Sequence, residues 1–138
     1  MSIDFDRSHS IEELEGERQP EPSVDSTSLV KAVHALRQRP LASLSPYELG
    51  RLVGQDVGLR WTISLALEIL RETVEINNRG GFYDDDLLSA VLTRKTETWA
   101  SFPELAREVN EITTLLKDLS PYTEGDVKRF LKASEGSL

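Results

Sequence analysis

Three consecutive aspartates, Asp84, Asp85 and Asp86, stand directly before the apolar run LLSAVL. A row of carboxylates suggests a metal site, a helix cap, or a negative patch offered to a partner. The metal reading fails on geometry, because successive helical side chains project about 100° apart and adjacent carboxylates cannot converge on one ion. An EF-hand loop needs ligands at alternate positions, a glycine at the sixth and a glutamate at the twelfth, and GGFYDDDLLSAVL does not supply them. An acid at a helix start, by contrast, accepts from free N–H groups and meets the positive end of the helix dipole. That is worth roughly 0.3–1 kcal/mol per exposed side chain. Capping explains one or two of the three and does not require the third. A partner patch using Asp85 and Asp86 therefore stays open beside it.

A second acidic set lies downstream. Glu97, Glu104, Glu111 and Asp118 recur at intervals of seven, with Glu108 between two of them. They flank an amphipathic seam of Phe102, Leu105, Val109, Ile112, Leu116 and Leu119. Like charges three and four apart on a helix repel by roughly a few tenths of a kcal/mol per pair, and Arg107 offsets part of that. The bland reading is a solvated face. The functional reading is a surface for a basic partner, with Glu104, Glu108 and Glu111 as its main contacts, since the stripe has no evident local role.

Catalytic constellations are missing from the pattern. The chain has two histidines, His9 and His34, and no cysteine. No histidine pair stands at ligand spacing, and no nucleophile-elbow motif accompanies His34. The expectation is a protein with no enzymatic activity, no metal and no cofactor. Gly50, Gly54 and Gly58 recur every four residues. Without a preceding strand or a G-K-[ST] ending they are no phosphate loop. The pattern predicts that Gly54 lets another helix approach and that Gly58 makes the turn into the next helix.

A net charge of −8 over 138 residues argues against nucleic acid as a direct ligand, because phosphate contacts are carried by lysine and arginine. Residues 1–25 hold eight acids against Arg7 and Arg18, so most of the excess sits in an acidic leader. The most apolar stretch, Val57 to Leu70, includes Arg60 and Glu68 and is too short to span a membrane. The opening MSIDFDRSHS has no apolar run that could act as a secretory signal. Together these predict a cytoplasmic protein.

The elements that must position these residues read as helices. The leader, residues 1–25, is expected to be loosely ordered, although IEELEGE could form one turn docked through Ile11 and Leu14. From Ser26 the pattern is helical throughout. STSLVKAVHALRQRP ends at Pro40, and SPYELGRLVGQ opens with Ser45 as cap and Pro46 at the first helical position. GLRWTISLALEILRETV is apolar nearly all round and reads as a central helix. The aspartates open a fourth helix, the seam predicts a fifth and longest, and Thr123 with Asp126 gives capping-box spacing for a last one. Sustained period-two alternation is absent. The fold class is therefore all-α: one bundle of about five or six helices over residues 26–134 behind a flexible acidic leader.

Several stretches resemble the immunity proteins of bacterial contact-dependent growth inhibition systems. The similarity lies in Ile11 to Gly16, Pro40–Leu41, Leu52 to Leu59 (LVGQDVGL), Leu65 to Leu70 (LALEIL) and Phe82 to Leu92 (FYDDDLLSAVL). It covers about residues 11 to 110. Gly50 stands where the family pattern has leucine, and Asp85 replaces a glycine before DLL, departures that bear on helix packing and turn geometry. The resemblance implies an all-α cytoplasmic protein without catalytic activity. Its partner would be the cognate toxin domain, often a nuclease, carried at the C-terminal end of a large secreted effector, whose active site it blocks. The motif residues look mostly structural, so only Tyr83 and the aspartates carry over as contacts. A helical adaptor or regulator of an unrelated basic protein would account for the same composition.

Overall fold

A computed structural model describes the backbone of residues 5–78, 85–116 and 119–138, and the side chains of these except 75–78 and 85. Among the described residues there are eight α-helices and no strand. They are α1 (Ile11–Glu15), α2 (Ser28–Arg37), α3 (Pro46–Gly54), α4 (Leu59–Asn78), α5 (Asp85–Leu92), α6 (Thr96–Ser101), α7 (Pro103–Leu115) and α8 (Pro121–Ala133). The all-α expectation holds. The helix count exceeds five or six because α1 is a true helix and because the expected long fifth helix is divided.

The division falls at Phe102. Its backbone, at φ −129° and ψ 64°, is outside the helical region, as expected for a residue directly before proline. Pro103 then starts α7 at a position where a missing N–H costs nothing. Leu116, with ψ 140°, already lies beyond the helix. The longest helix is instead α4, with 20 residues.

α4 packs against α3, α5 and α7. Ile63, Leu65, Ala66, Leu67, Leu70 and Val74 are buried along it, which is why its sequence is apolar on most sides. Burying a side chain such as Leu67 contributes about 1.5–3 kcal/mol. Two hydroxyls buried in the same helix stay satisfied: Thr62 Oγ1 donates to the carbonyls of Val57 and Gly58, and Ser64 Oγ to that of Arg60. Across the bundle Trp99 meets Phe130 edge to face, with ring centroids 5.2 Å apart. α8 opens with Ser120 accepting from the Thr123 N–H and Pro121 in the first turn, the same device as Ser45–Pro46 on α3. The expected Thr123–Asp126 box is not formed, because the helix starts earlier. Asp126 instead accepts from Ser89 Oγ of α5 at 2.8 Å.

In the N-terminal segment IEELEGE does form the docked turn, with Leu14 packed against the core beside Ile11. Ser10 and Glu13 form a capping box around α1, and Gly16 closes it in the left-handed conformation. Ile11 is fully buried. The N–H groups of Leu41 and Ala42 donate to the carbonyls of His9 and Arg7, Arg7 pairs with Glu68, and Glu15 pairs with Arg37. A single large apolar side chain in the right socket outweighs an acidic surrounding. That socket includes Gly58, whose φ is +54° and whose added Cβ would lie 3.0 Å from Ile11 Cδ1. Gly58 thus makes the turn as expected. Among the described residues nothing lies within 4 Å of a Cβ added at Gly54, so none of them makes the helix approach expected there; the glycine under the close α3–α5 contact is Gly50, 3.6 Å from Leu87 Cδ1.

Candidate partner-binding surface

Glu104, Glu108 and Glu111 all lie on α7 but do not form an outward stripe. Leu105, Ala106, Val109 and Ile112 anchor the buried side of the helix. Glu108 follows Leu105 by three residues and precedes Ile112 by four, which places it inside the buried arc. It is 5% exposed, and Arg71 Nε of α4 donates to its Oε1 at 3.1 Å. Arg71 Nη2 also donates to Glu111 Oε2 at 2.9 Å, while Glu111 itself remains 69% exposed. Partial burial opposes the Arg71 cation, but the hydrogen bonds and charges of both carboxylates outweigh it and raise its pKa above the ordinary arginine value. The stripe therefore has the local role that its spacing did not reveal, a clamp between α7 and α4. Glu104 is exposed. Glu97 belongs to the separate helix α6.

The aspartates fare differently. α5 starts at Asp85, so the acids do sit at a helix start. Tyr83 and Asp84, and the side chain of Asp85, lie outside the described residues. Asp86 is exposed, and it lines an open groove of about 310 Å³ between α2, α3 and α5. Leu29 of α2 and Tyr47, Gly50, Arg51 and Gly54 of α3 complete much of its wall. Tyr47 is 66% exposed yet held in place: Arg51 Nη2 donates to its hydroxyl at 2.8 Å, and the guanidinium carbon lies 5.2 Å from the ring centroid. Neither Tyr47 nor Arg51 was picked out by sequence reasoning. Their spacing of four on a helix was the available signal; for the clamp it was Arg71, a cation directly after the apolar stretch of α4.

The end of α5 is tied back to α3. Arg94 Nε donates to the Ala90 carbonyl, and its Nη1 donates to the Gly54 carbonyl and to Asp56 Oδ1 at 2.8 Å. The groove thus rests on elements locked together at both ends of their contact, with Gly50 under Leu87 and Arg94 over the turn. His9 and His34 do not meet: His9 lies 3.7 Å from Asp6, and His34 lies 3.7 Å from Glu21 and 3.3 Å from the Gln38 amide nitrogen. Among the described residues no group of three histidine or carboxylate side chains could hold a metal ion, and no helix is long and apolar enough to cross a membrane.

Residues 13–109, more than half of the chain, match the family model described as CDI immunity proteins. The chain belongs to that family. No curated protein and no solved structure matches it. The match begins within α1 and ends within α7, so it takes in the second half of the N-terminal helix, the groove and the Arg71–Glu108 clamp of this immunity protein.

Proposed function

We propose that this immunity protein neutralises its cognate toxin domain by direct, stoichiometric binding, without catalysis and in the cytoplasm of the cell that makes it. The observation that carries the reading is the family match over residues 13–109. The toxin domain would be the C-terminal region of a large secreted effector and would act as a nuclease. A net charge of −8 suits such a partner, because a surface that binds phosphates is basic and carboxylates can occupy the positions of phosphate oxygens.

Within that reading the contact set is revised from the acids named above. Glu108 supports α7 and makes no direct contact. Asp86 is the leading acidic contact, with Tyr83 and Asp85 beside it in sequence, and Glu104 and Glu111 as the exposed remainder on α7. The test is co-purification with the toxin domain and inhibition of its nuclease activity at one-to-one stoichiometry. Lysine replacements at Asp85 and Asp86 should weaken binding, and the affinity should fall as salt screens the charges. Full nuclease activity in the presence of excess immunity protein would end the proposal. If the Asp85/Asp86 swap left affinity intact while the Glu104/Glu111 swap destroyed it, the contact would move back to α7.

A further inference from the structure

Gly50, Gly54 and Gly58 recur at one spacing, but only two of them have an internal explanation. Gly58 has a left-handed backbone and Ile11 against it, and Gly50 has Leu87 against it. Gly54 is the last residue of α3, its backbone needs no glycine, and among the described residues nothing lies within 4 Å of a Cβ built on it. Alanine would make the more stable helix there. Open space above a glycine means little alone, as Gly125 in α8 has it too. At Gly54 that space adjoins the groove between α2, α3 and α5, whose lining includes Gly54.

The wall of the same groove supplies an independent sign of a protein partner. Tyr47 is a large aromatic side chain 66% exposed, and Arg51 fixes it by a hydrogen bond and by stacking. Ordering a solvent-exposed ring before contact reduces the entropy lost on binding, and tyrosine and arginine are the residue types that dominate interface energetics. Leu29 adds a half-exposed apolar side chain from α2. Among the described lining residues Asp86 is the single carboxylate, and the single cation, Arg51, is already engaged with Tyr47.

We propose that this groove seats an apolar side chain that protrudes from the toxin domain, with Tyr47 packing on it, Gly54 leaving room beneath it and Asp86 pairing with an arginine or lysine beside it. The inference rests on the reading of this chain as a toxin-binding immunity protein. Its occupant must carry the opposite features of the groove: one apolar projection to fill the space beside Gly54, and one positive charge to meet Asp86.

Affinity for the cognate toxin domain, measured by calorimetry for the parent, Gly54→Leu and Tyr47→Ala, tests the proposal. Both substitutions leave the core untouched, and urea unfolding serves as the folding control. Gly54→Leu should unfold at the same or higher urea concentration and bind at least about 100-fold more weakly, while Tyr47→Ala should lose about 30-fold or more. Unchanged affinity in either folded variant overturns the proposal. Should Gly54→Leu fail to fold, Tyr47→Ala alone decides. A parent that does not bind the toxin domain overturns the functional reading itself, so the two failures are distinguishable. If Gly54→Leu abolished a self-association seen by ultracentrifugation while toxin affinity stayed constant, the groove would belong to a second copy of the chain and the proposal would fall.

Discussion

On α7, Glu108 is turned into the protein and meets Arg71 of α4; on α5, which packs against the same central helix, Asp86 is turned out to the solvent. The two carboxylates have similar sequence surroundings, each close to leucines on an amphipathic helix. What separates them is the arc they occupy and what α4 offers opposite. Glu108 lies between Leu105 and Ile112 on the buried arc, and a cation emerges from α4 at that level. Asp86 precedes the buried pair Leu87–Leu88 and lines a groove that also includes Gly50 and Gly54. Acidic spacing alone therefore does not mark a partner surface. A charge that the fold has already consumed stabilises the bundle, and one left over at a groove is available for recognition.

The change expected to have the largest effect loosens the packing of the helix that both regions lean on. Leu67→Ala in α4 should cost about 2–5 kcal/mol, the range for truncating a large buried aliphatic side chain, because Leu67 is fully buried. Ile11→Ala should fall in the same range, against the expectation of a loosely ordered leader. Urea unfolding monitored by circular dichroism measures both. A loss under about 0.5 kcal/mol for Ile11→Ala would return α1 to the status of a loosely attached leader.

The ease with which sequence predicts these outcomes differs between the two ends of the molecule. Helical periodicity and the Ser45–Pro46 start were legible, because they depend on near neighbours. The central role of α4 was legible too, since a helix apolar on most sides must have neighbours on most sides. Ile11 was visible as a docking side chain, but composition favoured a loose leader; only the distant partner Gly58 decides the matter. The Arg71–Glu108 pair spans 37 residues of sequence, and no local pattern gives the register of α7 on α4. Residue types alone likewise did not show whether Gly50 or Gly54 lies under another helix.

The comparison itself is sharpened by paired substitutions of intermediate effect. Glu108→Ala should cost about 1–3 kcal/mol, as expected for removing a partly buried, charge-assisted hydrogen bond, with Arg71→Ala in the same range. Asp86→Asn should change stability by about 0.5 kcal/mol or less, since an exposed acid in a first turn contributes mainly through the helix dipole. In toxin binding the order should invert. Asp86→Asn should weaken affinity while Glu108→Gln, which keeps the side-chain shape, should leave it close to the parent. If Glu108→Gln lost affinity in a folded protein and Asp86→Asn did not, the assignment of one carboxylate to stability and the other to recognition would be reversed.

The smallest effect concerns acid, and it again separates the two regions. α1 and α3 each begin with a capping box, Ser10 with Glu13 and Ser45 with Glu48, whereas α7 has no side-chain cap. The Ser10 backbone N–H, followed by the Ser10 hydroxyl, holds the Glu13 carboxyl below the usual glutamate range. The Ser45 backbone N–H, followed by the Arg39 guanidinium, does the same for Glu48. A carboxyl whose native pKa is lowered is more readily protonated in the unfolded chain. Its contribution is therefore complete above the unfolded value of about 4.3 and is lost as pH falls through the lower native value. Stability should decline as pH falls through and below the unfolded value of about 4.3, and the decline should be shallower in the Glu13→Gln/Glu48→Gln double variant, because glutamine retains the reach of the capping box without titrating. The amide resonances of Ser10 and Ser45 should report the same event in the native protein, with inflections below the ordinary glutamate value. Inflections at or above that value, or equal acid slopes in parent and double variant, would show that the start of α3, the wall of the groove, does not depend on its carboxylate.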